Sequence, residues 1–102
     1  MALEPIQNIV DCYETYVSVG LVEGEGLEDE ARLTLLTRDV IEDRWAELTP
    51  TQRERVERTD RVLAEKNALV AEVLPHPQVK DRRRWWWFLH EGPQVREQGH
   101  AA

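Results

Sequence analysis

Two acid pairs, Glu25/Glu28 and Glu57/Asp60, each spaced three apart, can set carboxylates one helical turn from one another. Carboxylates so placed on adjacent helices are a donor set for a hard cation such as magnesium, which could then polarise a phosphoryl oxygen. A second candidate is Arg84 with His90, a permanent charge followed by an imidazole able to act as acid or base. The third is the segment DRRRWWWFLHEGP, residues 81–93, where three arginines abut three tryptophans, a phenylalanine and a leucine. Tryptophan and arginine are favoured anchors at protein interfaces, and the same pair can stack single-stranded bases.

The ExxE and ExxD pairs resemble the magnesium-binding signature of the all-α MazG-type nucleotide pyrophosphohydrolases. The resemblance implies metal held against a triphosphate by Glu25, Glu28, Glu57 and Asp60, and it covers those four residues. The spacing of Arg84 and His90 is similar to the R-x4-6-H ribonuclease motif of the HEPN helical families, which implies an Arg/His pair at a dimer cleft. Elsewhere Cys12, His76 and His100 stand apart from one another, without zinc-ligand spacing.

The elements that must position these residues read as helices. From Pro5 to about Val19, Ile6, Ile9, Val10, Tyr13, Tyr16 and Val17 form one apolar stripe. Gly20, Gly24 and Gly26 then punctuate a connector; its Glu23 and Glu25 would repel a phosphate, which argues against a phosphate-cradling loop. Leu27–Leu48 reads as a second helix, with Glu28, Asp29 and Glu30 in its first turn and Leu33, Leu36, Val40, Ile41 and Leu48 as its core face. Leu35 and Trp45 point elsewhere, so this helix is expected to pack on more than one side.

Thr49–Leu74 reads as one long helix, opened by Thr49, Pro50 and Gln52 and stopped by Pro75. Its first half, QRERVERTDR, alternates charges and is expected to stand in solvent. Its second half carries the stripe Val62, Leu63, Leu69, Val70, Val73 and Leu74, with Lys66 inside that stripe. There Lys66 either snorkels its amine to water or acts as a polar specificity device at a seam.

A chain of 102 residues suits a single domain with a modest core. The net charge of −7 argues against general nucleic-acid binding, because phosphate contacts need excess Lys and Arg. That charge is uneven: residues 1–48 hold twelve acids and three bases, while residues 80–102 hold five bases and three acids. The N-terminus lacks a secretory pattern, and the single cysteine suits a reducing cytoplasm.

The expected fold is therefore all-α, a three-helix up-down bundle with a short C-terminal aromatic element, helical or extended. One domain is expected over 1–93 and a flexible tail over 94–102. The expected function is that of a cytoplasmic, non-enzymatic interaction protein, a regulator, adaptor or assembly subunit. It would bind a protein partner or itself, as a homodimer, through Arg83, Arg84, Trp85, Trp86, Trp87 and Phe88, together with Lys66. No catalytic residue, metal or cofactor is assigned, and neither a membrane nor nucleic acid is the expected partner. The alternative is a small helical enzyme acting on nucleotides or RNA.

Overall fold

A computed structural model describes residues 4–21, 27–75 and 79–97 of the chain. The fold is all-α, with no strand among the described residues. Helix α1, Ile6–Thr15, continues into a π-helical turn, Tyr16–Gly20, and buries Val10, Tyr13 and Val17 of the expected stripe. Helix α2, Leu27–Asp43, carries its three acids in the first turn and is followed by a 3-10 turn, Trp45–Glu47. Residues 22–26, the body of the glycine connector with Glu25, lie outside the described residues.

Helix α3, Pro50–Glu65, opens as its sequence dictates. Thr49 Oγ1 accepts from the Gln52 N–H at 3.2 Å, Gln52 Oε1 accepts from the Thr49 N–H at 2.8 Å, and Pro50 takes the first helical position. The expected continuous helix to Leu74 is instead broken at Lys66 (φ −88°, ψ 16°), and α4, Asn67–Val73, follows. The break has a local cause: the Asn67 side chain donates to the Ala64 carbonyl at 2.9 Å, competing with helical bonding.

Two further expectations are corrected. The inward face of α2 is Ala31, Thr34, Leu35, Arg38 and Ile41, whereas Leu33, Leu36 and Val40 are 47%, 47% and 40% exposed. The first half of α3 does not stand in solvent along its length, because Val56, Thr59 and Asp60 are buried. Both differences have one reason: the Arg38 guanidinium and the Asp60 carboxylate pair inside the molecule and carry their helix faces inward. Such a buried charge is tolerated only when a partner compensates it.

The aromatic segment is neither regular helix nor strand. Residues Trp85–Glu91 form 3-10 turns kinked at Phe88 (φ −117°, ψ 21°), and Trp85 to Leu89 are all 1–5% exposed. The tight, kinked turns fan successive large side chains to several sides, so all five find cover within the chain. Val95 also packs into the core, which brings the start of the expected tail into the folded domain; residues 98–102 lie outside the described residues.

Candidate functional site

Arg38 is the centre of the interior. Its Nε donates to Asp60 Oδ1 at 3.0 Å and its Nη2 to Asp60 Oδ2 at 3.2 Å, while the Tyr13 hydroxyl donates to Asp60 Oδ1 at 2.5 Å. Burial works against the Arg38 charge, but Asp60 foremost, with Tyr13 and Glu42, more than offsets it and holds the guanidinium above its ordinary pKa. Burial first, and Asp60 second, push the Tyr13 phenol well above its usual 10.0. The Arg38 guanidinium carbon lies 4.3 Å from the Trp86 ring centre and 5.5 Å from that of Trp45.

The neighbouring acid on α2 ties down the aromatic segment. Asp39 Oδ1 accepts from the Trp86 and Trp87 indoles, each at 2.9 Å, and from Arg84 Nη1 at 3.1 Å. Arg84 Nη2 donates to Asp43 at 2.6 Å. Trp85 stands edge-on to Trp86, with ring centres 5.6 Å apart and planes at 87°. Arg82 covers the Phe88 ring at 4.3 Å and pairs with Glu91 through both carboxylate oxygens.

The residues singled out in the sequence thus take different places. Trp85, Trp86, Trp87 and Phe88 are interior, and Arg84 is held against α2. Lys66 does not reach water freely: it joins the α3 end to the α1 segment, its ammonium donating to the Val17 carbonyl at 2.6 Å and the Leu21 carbonyl at 2.8 Å. It thereby supplies donors to carbonyls at the end of the π-helical turn, where a helix runs out of its own N–H groups. Arg83 stands outward, its side chain 76% exposed and paired with Asp81 at 3.1 Å.

The candidate catalytic groups are likewise dispersed. Both Asp60 oxygens are taken by Arg38 and Tyr13, so a guanidinium occupies the place a metal cation would need. Glu57 lines a separate cavity of about 360 Å³ with Arg38, Glu42, Trp45, Arg83, Trp85 and Trp86. Glu28 pairs with Arg32 at 3.1 Å, and Glu25 lies outside the described residues. Among the described residues no three acids, histidines or cysteines gather as a metal site. Arg84 turns to Asp39 and Asp43, whereas His90 lies beside Glu91 and the Phe88 ring.

One surface was missed in the sequence and is open in the structure. The large apolar side chains exposed among the described residues are Val19, Leu33, Leu36 and Val40. Leu33, Leu36 and Val40 share one face of α2. Beside them a groove of about 230 Å³ is bounded by Ile9, Cys12 and Tyr16 of the α1 segment and by Thr37 and Val40 of α2, with Glu4 and Asn8 at its end. The signal that could have found it is Arg38, which falls in helical phase with Leu35 and Ile41 and marks the true inner face.

No helix among the described residues is long and apolar enough to cross a membrane. No protein-family model matches the chain, and no match was found among curated proteins or solved structures.

Proposed function

We propose that this chain is a non-enzymatic interaction protein that docks another protein on the outer face of its α1–α2 pair. The observation that carries this reading is the exposed strip Leu33, Leu36 and Val40 beside the Ile9–Tyr16 groove. Single exposed apolar residues need no explanation, but a contiguous strip rimmed by polar groups is a mark of protein contact. The arginine–tryptophan segment serves this reading as an internal brace: it anchors α2 from behind through Asp39, Asp43 and the Arg38 stack. Arg82 and Arg83, with side chains 57% and 76% exposed, are the arginines of that segment placed to add charge to an outer contact.

The same reading takes α1, α2 and α3 as a three-helix up-down bundle. In support, Gln7 meets Gln52, Asp11 meets Arg55 and the Val17 carbonyl meets Lys66, contacts that rise together along α1 and α3. Arg44, just past α2, bonds the Glu4 carbonyl just before α1, as oppositely directed helices would. A free, exposed Cys12 fits a reducing cytoplasm as the compartment.

The test is a photo-activated cross-linking side chain placed at Leu36, with Glu54 on α3 as the control position, in the protein's native cells. An adduct with another polypeptide from position 36 and none from position 54 is expected. A folded protein giving no adduct at 36 would sink the proposal.

A further inference from the structure

The partner can be specified further, on the premise that the α1–α2 face is a docking surface. At 100° per residue, Asp29, Leu33, Leu36, Val40 and Asp43 fall on one strip of α2, so the apolar patch is closed by an acid at each end. Asp29 is 98% exposed and, among the described residues, its cationic neighbour is Arg32 at 3.9 Å. Asp43, 63% exposed, is bound by Arg84 on one side. Glu4 stands at the end of the adjoining groove. Over the described residues 4–21 and 27–43 there are nine acids and two bases. Arg55 pairs with Asp11 and Glu14, and Arg84 with Asp39 and Asp43. The acids that remain, Asp29 and Glu4 among them, leave this pair of helices net negative.

We infer that the occupant is a basic amphipathic helix of a different protein, laid along α2 with its apolar stripe on Leu33, Leu36 and Val40. Its lysines or arginines would meet Asp29 and Asp43, which lie about 21 Å apart at 1.5 Å per helical residue. A basic residue near each end of four turns matches that span. A second copy of this chain is the poorer occupant. Packed antiparallel, its Asp43 would face Asp29; packed parallel, Asp29 would face Asp29; like charges across an interface oppose association.

Two synthetic helical peptides with the same leucine stripe test this, one flanked by lysines about fourteen residues apart and the other by glutamates at those positions. Binding is read by fluorescence anisotropy at low and high salt, on the wild type, Asp29→Lys and Leu36→Glu. The lysine peptide is expected to bind at least about tenfold more tightly at low salt, with the gap closing at high salt. Asp29→Lys should shrink that preference; because Asp29 is solvent-exposed, this variant keeps its fold. Leu36→Glu should weaken binding of the lysine peptide.

Equal binding of both peptides would overturn the inference and leave the docking face intact. Failure of both peptides, with a cross-link still formed from position 36, would also overturn it while the proposed function stands. Failure of both peptides and of the cross-link would remove both. Dimerisation of the chain alone, abolished by Leu36→Glu, would overturn the inference in favour of a second copy.

Discussion

Arg38 and Asp60 meet in a two-point ion pair, Nε to Oδ1 at 3.0 Å and Nη2 to Oδ2 at 3.2 Å, with both residues at most 2% exposed. Removing one member leaves the other charge uncompensated in the interior, at a cost of about 3–5 kcal/mol, a large share of a small domain's stability. Arg38→Met is therefore expected to unfold at much lower urea than the wild type. The double variant Arg38→Met/Asp60→Leu should recover part of that loss, because the stranded charge is gone. A single-variant cost under about 1 kcal/mol, the range of exposed pairs, would mean that water screens the pair.

Asp39 holds three donors on one oxygen, two of them indoles. Asp39→Ala should cost about 3 kcal/mol by stranding those groups, and Asp39→Asn, which keeps an acceptor, should cost less. Thermal unfolding followed by tryptophan fluorescence reads both effects. Equal stability of wild type and Asp39→Ala would show that the aromatic segment does not depend on this tether.

Lys66 supplies donors to the carbonyls of Val17 and Leu21. Lys66→Met keeps the stem and removes those donors, so a loss of about 1–2 kcal/mol is expected in urea titration. A merely snorkelling lysine would give a change within about 0.5 kcal/mol.

The raised Tyr13 pKa has a defined sign. The folded state keeps the phenol protonated beyond its ordinary 10.0, so this contribution is complete below pH 10 and declines as pH rises towards the folded value, while the unfolded chain ionises first. Stability should therefore fall with pH above about 10, and Tyr13 tyrosinate absorbance should grow in only as the chain unfolds. Tyr13→Phe should flatten that slope. It should also cost about 2 kcal/mol near neutrality by removing a donor from Asp60. At the acid end, hydrogen bonds from Arg44, Arg83 and Arg82 hold Glu47, Asp81 and Glu91 below their ordinary values. Those exposed pairs stabilise the fold above the carboxylate range and lose that contribution as pH falls through it.

Adjacent leucines on α2 test its orientation. Leu35→Ala should cost about 3 kcal/mol by opening a cavity, whereas Leu36→Glu should stay within about 0.5 kcal/mol as a surface change. Chemical unfolding of the two variants compares them directly. The opposite order would return α2 to the orientation its apolar spacing suggests.

Features that depend on near neighbours are legible in the residues alone. The capping box of Thr49 and Gln52, the acidic first turn of α2, the stripe of α1 and the all-helical class all follow from contacts within a turn or two. The face that α2 turns inward depends on contacts between distant parts of the chain. Leu33, Leu36 and Val40 carry more apolar area than Ala31 and Thr34, so local transfer energy favours burying them. Yet Arg38 is drawn inside by Asp60, twenty-two residues away, and by the Trp86 ring from near the C-terminus. Likewise Lys66 looks like a misplaced charge until the carbonyls of Val17 and Leu21 arrive beside it. A buried charge becomes favourable only through partners distant in sequence, and helical periodicity contains no record of them.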